Sequence, residues 1–262
     1  MRYQDTGERV RDVQVALGDA GHDPGPTDGV LGDRTWSALK GYCKERVLGW
    51  APVVPQATLD SLMGPAARPP PGGTVPDGAT FEADLGNGVA LYDVSAMLPR
   101  HESKVYSTRE PGGIVRAYAH HSGALGADGY AGMANSAQYA IDHRGWPGMP
   151  YTAWLPYVPD IDADGRLVIY RGQKDVVRSY HTGGEANAHG VGYALQGDLS
   201  VTAPSIAQHR LFHAFVLWLA RSYALSGDNG LSFHSESAQY GGSGKSSCPG
   251  PHVEALVKEA RG

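Results

Sequence analysis

Apolar residues recur at helical spacing near both ends of the chain and alternate with polar ones between. Val10, Val13 and Leu17 share one face of a predicted helix that Gly18 and Gly21 end. Asp28-Gly29-Val30-Leu31-Gly32 reads as a turn, and Asp33 as the N-cap of a helix carrying Trp36, Leu39 and Tyr42. A third short helix is predicted over 57–63. The strongest helical pattern lies between 204 and 225, where Ile206, Leu211, Phe215, Leu219 and Tyr223 repeat every three to four positions. Helices are also predicted over 134–143 and 252–260. Strands are predicted over 114–119, 151–158, 167–171, 191–196 and 231–234, with a turn at Asp160-Ile161-Asp162-Ala163-Asp164-Gly165. Strands interleaved with helices predict a mixed α/β domain after a small helical one.

Ala67-Arg68-Pro69-Pro70-Pro71-Gly72-Gly73 separates the two patterns, with proline stiffening the chain and glycine hinging it. The expected organisation is a helical domain over 1–65, a linker over 66–80 and an α/β domain over 81–262. No internal repeat is visible.

Composition narrows the function classes. A hydrophobic share of 41% over 262 residues is enough for a real core. The net charge of −5 leaves no basic surplus for phosphate backbones, so a nucleic-acid partner is not expected. No apolar run is long enough to span a membrane. The first residues lack the apolar core of a signal peptide, so synthesis in the cytoplasm is expected. Two cysteines, Cys43 and Cys248, cannot make a disulfide framework.

The chemistry gathers in two places. His120-His121-Ser122-Gly123 follows one strand pattern, and Phe233-His234-Ser235 follows another and leads to Cys248-Pro249-Gly250. Two imidazoles and a thiolate can hold one zinc ion and leave its fourth position open, as a hydrolase requires. The plainer alternative is a loop cysteine and two ordinary histidines among the eleven present. Spacing alone leaves both readings standing.

These segments, with Tyr151 and the stretch from His189 to Gly197, resemble the zinc N-acetylmuramoyl-L-alanine amidases. That family includes phage endolysins and the peptidoglycan recognition proteins. The likeness covers most of residues 85–260 in the family's order. It implies a mixed central sheet flanked by helices, and His120, His234 and Cys248 as ligands of one zinc ion. His121 falls on a variable position, pointing to the other face of its strand. The catalytic tyrosine falls on Tyr151, and His181 on a histidine lining the substrate groove, with Glu185 or Asn187 beside it. A lysine two residues before the cysteine is usual in such endolysins. Here Ser246 stands there and Lys245 sits one further back, in a longer loop, so either could line the site.

Gly7, Val10, Gln14, Leu17, Gly21, Asp28-Gly29, Gly32, Thr35 and Ala38-Leu39 resemble a peptidoglycan-binding module, a small three-helix unit. Together the resemblances imply a monomeric hydrolase of bacterial peptidoglycan. It would cut between N-acetylmuramic acid and L-alanine with zinc-activated water, as an endolysin released at host lysis. Rival readings are a recognition protein that binds peptidoglycan without cutting it, and a zinc peptidase acting on stem-peptide cross-links.

Overall fold

A computed structural model of the chain describes residues 2–45, 54, 73–124, 126–244 and 246–261. It divides into two compact units, Met1–Pro69 and Pro70–Gly262. The smaller contains helices α1 (Glu8–Asp19) and α2 (Asp33–Glu45). Asp33 is the first helical residue rather than the cap before it. Val10, Val13 and Leu17 pack with Leu31, Leu39 and Tyr42, as their spacing requires. Gln14 is buried with them because its amide replaces backbone partners. It donates to the Val30 carbonyl at 3.1 Å and accepts from Gly29 N–H at 2.8 Å. The helix expected over 57–63 and residues 66–72 of the expected linker lie outside the described residues. Beyond them the chain is tied to the larger unit, where Ile161 N–H donates to the Gly73 carbonyl at 3.0 Å.

The larger unit is built on a seven-stranded sheet of order β1-β2-β5-β4-β6-β3-β7. Its strands are β1 (Thr80–Gly86), β2 (Val89–Asp93), β3 (Arg116–His121), β4 (Ala153–Leu155), β5 (Leu167–Arg171), β6 (Gly190–Leu195) and β7 (Leu231–Phe233). The run β4-β6-β3-β7 is parallel, while β1 with β2 and β4 with β5 are antiparallel. Strands β1 and β2 carry no usable alternation: β1 is an edge strand that is mostly exposed, and β2 is buried on successive residues. The strand expected over 151–158 shortens to Ala153–Leu155.

Helices cover both faces of the sheet. Helix α3 (Gly129–Arg144) lays Met133 and Ala137 against Trp154, Val168, Tyr170 and Ala194. Helices α4 (Ile206–Tyr223) and α5 (Pro251–Ala260) cover the opposite face, where Leu211, Phe215 and Leu219 meet Leu91, Ile169, Tyr193 and Leu195. Ser205 and Gln208 close a reciprocal capping box at the start of α4. Among the described residues, no helix is long and apolar enough to cross a membrane.

Candidate metal centre

Alternation along three parallel strands decides which side chains can meet. Ala117 and Ala119 of β3, Val191, Tyr193 and Leu195 of β6, and Leu231 and Phe233 of β7 all enter the core beneath α4 and α5. Their neighbours at one-residue offset must face the other way. That set is Tyr118 and His120 on β3, Gly192 and Ala194 on β6, and Ser232 and then His234 at the end of β7. His120 stands level with Ala194 in the β3–β6 register. The two histidines therefore reach the same sheet face from adjacent strands, with ring centroids 4.8 Å apart.

Cys248 comes from the loop before α5 and is held by its backbone. Ser235 N–H donates to its carbonyl at 3.0 Å, and its own N–H donates to Ser246 Oγ at 3.0 Å. The hydroxyl of Ser246 thus braces the cysteine loop. Gly250, two residues on, has φ +82°, and a Cβ there would lie 2.7 Å from Ser200 Cα. Only glycine allows this close return of the chain. The Cys248 sulfur accepts from His121 N–H at 3.4 Å and lies 3.6 Å from His120 Nδ1.

His120, His234 and Cys248 each offer a ligand atom, and these atoms all lie within 4.8 Å of one another. They form the one such group among the described residues. The donor set fits zinc, and so does the spacing. With bonds of about 2.3 Å to sulfur and about 2.05 Å to nitrogen, a tetrahedral ion sets the two atoms about 3.6 Å apart. That is the separation between Cys248 Sγ and His120 Nδ1.

Burial sets the protonation of the three side chains. Burial holds His120 well below the usual imidazole range, with His181 and His234 adding to the effect. His234 is lowered by burial and then by His121. Both rings are thus neutral, the form that binds metal. Burial pushes the Cys248 thiol up to about 12, opposed by its hydrogen bond from His121.

Tyr151, just before β4, places its ring 5.1 Å from that of His120. Burial raises its phenol above the ordinary tyrosine range, so the hydroxyl keeps its proton. His121 turns to the other side of the sheet, as alternation requires, and its Nδ1 accepts from Leu199 N–H at 3.1 Å. Lys245 lies outside the described residues.

His181, expected to line the substrate groove, is 6% exposed, with its Nδ1 3.3 Å from His120 Nε2. Asn187 is also turned inward: its side-chain oxygen accepts from His181 N–H and Thr182 N–H. Glu185 is exposed. Sequence reasoning also missed Ser243, whose Oγ lies 3.5 Å from His234 Nε2. It sits in a glycine-rich loop whose pattern carries no chemical signal. Ser243 N–H donates to the Thr182 carbonyl at 2.7 Å, tying that loop to the segment holding His181.

Residues 106–251, more than half of the chain, match the profile of the family described as N-acetylmuramoyl-L-alanine amidase. The chain belongs to that family. Among solved structures, a complex of tracheal cytotoxin with the ectodomains of peptidoglycan recognition proteins LCa and LCx is similar in fold. It is 18% identical, with 64% of this chain and 95% of that one covered and a TM-score of 0.50. The amidase LysC from Clostridium intestinale is 19% identical over 64% of this chain and 95% of its own, with a TM-score of 0.45. The Ph2119 endolysin, from a Thermus scotoductus bacteriophage, is 18% identical over 66% and 99%, with a TM-score of 0.47. No curated protein sequence matches the chain. The central sheet with helices on both faces is the amidase and peptidoglycan recognition protein fold. Membership sets this amidase-family protein among those that cut or recognise peptidoglycan.

Proposed function

We propose that the protein hydrolyses the amide bond between the lactyl group of N-acetylmuramic acid and the L-alanine of the stem peptide. The observation that carries this reading is the convergence of His120, His234 and Cys248 from three distant segments, in a chain of the amidase family. One zinc ion held there would supply a Lewis acid for the carbonyl and a means of activating water at neutral pH. The chain's own residues do the rest. Tyr151, kept protonated by burial beside His120, donates a hydrogen bond to the carbonyl oxygen as charge grows on it. Lys245 or Ser246, just before Cys248 in the sequence, is the further candidate partner for that oxygen. Strands β3 and β7 deliver His120 and His234 to one side of the sheet, with rings 4.8 Å apart.

The Met1–Pro69 unit, which resembles a wall-binding module, would keep the enzyme on an insoluble polymer and raise the local substrate concentration. Zinc ligands, a wall-directed module and the phage endolysin among similar structures support an endolysin role, with a monomer acting on the wall after release.

The test uses purified walls and the whole protein. Bound zinc, together with new amino-terminal L-alanine in the digest, is the expected result, and Cys248→Ser should weaken the binding and abolish the cleavage. Intact walls carrying bound protein would make this a recognition protein. New D-amino-acid termini would make it a cross-link peptidase.

A further inference from the structure

His181 is buried beside the metal-ligand candidates. Its surroundings give it a task. Its Nε2 lies 3.3 Å from the Gly190 carbonyl, and a carbonyl can only accept, so Nε2 carries a proton. The ring is only 6% exposed, where an imidazolium would need a paired charge, so the ring is neutral. A neutral ring with its proton on Nε2 has a bare Nδ1. That Nδ1 lies 3.3 Å from His120 Nε2, which must therefore be the donor. A metal-ligating imidazole is neutral and keeps one proton, so with Nε2–H given to His181 the free lone pair of His120 is on Nδ1. Nδ1 is the atom 3.6 Å from Cys248 Sγ. The chain of hydrogen bonds runs without a break from a backbone carbonyl of β6 to the nitrogen that faces the metal position.

The fold preserves this chain on both sides. Gly192 lies beneath the His181 ring, and a Cβ there would come within 2.6 Å of His181 Cγ. The backbone N–H of His181 donates to Asn187 Oδ1 at 3.1 Å, and that oxygen also accepts from Thr182 N–H at 2.9 Å. The two rings meet edge to face, with centroids 5.4 Å apart and planes at 89°.

We infer that His181 is a positioning residue: as the acceptor for His120 Nε2–H, it fixes the tautomer and ring direction that present His120 Nδ1 to the metal. The inference rests on the metal reading above. Outer-shell partners of this kind change metal affinity by about 10- to 100-fold when lost.

The tautomer can be read in the metal-free full chain by long-range proton–nitrogen correlation of the imidazoles. Protons on Nε2 and bare Nδ1 atoms are expected for both His120 and His181, and a proton on His120 Nδ1 would overturn the inference. Zinc affinity, by competition with a chromophoric chelator, gives the second arm. His181→Leu removes the acceptor and should weaken binding by about 10- to 100-fold. His181→Asn keeps an acceptor near the Nδ1 position and should stay close to the unmodified chain, a rescue that mere packing would not produce. If the leucine variant fails to fold, the tautomer measurement and the asparagine variant still decide. Equal affinity in the folded leucine variant would remove the positioning role and leave the metal reading intact. Failure of the unmodified chain to bind zinc would remove both.

Discussion

Zinc binding to the metal-free protein should release one proton, and the count follows from the site. With the Cys248 thiol pushed up to about 12 by burial, only about one molecule in 10⁵ holds a thiolate at pH 7. The metal binds the thiolate, so each ion taken up must expel that proton. His120 and His234, both lowered by burial, contribute less than free imidazoles would. Affinity should therefore improve about tenfold for each unit of rising pH near 6.5, the slope of a single proton. Deprotonation over the five units between 12 and 7 costs about 7 kcal/mol, at about 1.4 kcal/mol per unit, against the intrinsic thiolate–metal bond. Isothermal titration at pH 6.5 in two buffers of different ionisation enthalpy measures the proton count. Cys248→Ser should bind more weakly and lose the pH slope. A count of zero would mean a thiolate already formed. A count of two would mean a charged imidazole. Either result refutes the reasoning. Without metal, a raised thiol keeps its proton in the fold after the unfolded chain has lost it. Stability should then fall as pH rises from the ordinary thiol range towards 12, a window that chemical denaturation can scan.

Other changes separate the layers of the site. Tyr151→Phe removes a donor but no ligand, so zinc content should hold while wall cleavage drops by about 10²- to 10³-fold; unchanged cleavage would strip Tyr151 of its role. Gly192→Ala puts a Cβ within 2.6 Å of the His181 ring, so that ring must retreat. Denaturant melts should lose about 1–3 kcal/mol, with weaker zinc binding alongside; normal values for both would show that His181 does not lie against β6. Arg171 is buried between Glu82 at 2.6 Å and Asp175 at 2.8 Å, away from the metal group. Arg171→Ala should destabilise the fold by about 3–5 kcal/mol by leaving carboxylates short of their partner, while zinc stoichiometry stays at one.

The legibility of the site was uneven for physical reasons. His120, His234 and Cys248 could be named because strand patterns deliver the histidines and a turn delivers the cysteine. Tyr151 needed the family's motif order, since nothing local distinguishes it from a half-buried aromatic. His181 was visible as a residue but not as a role, because its burial depends on Gly192, Asn187 and the neighbouring strand. Strands β1 and β2 escaped because an edge strand and a strand buried on successive positions both lack the period of two.

Local residue patterns suffice for the helices that carry a clear apolar face, the strand Leu167–Arg171 and the set of side chains able to bind a metal. Those properties are local, set by side-chain type and by periods of 3.6 and 2. The tertiary structure decided what they do together. The parallel register of β3 between β6 and β7 puts His120 beside His234, and the loop before α5 returns the sulfur to 3.6 Å from Nδ1. The same packing buries His181 with its Nδ1 3.3 Å from His120 Nε2. A hydrogen bond between residues 61 positions apart has no local signature in the chain, because only the folded sheet brings its partners together.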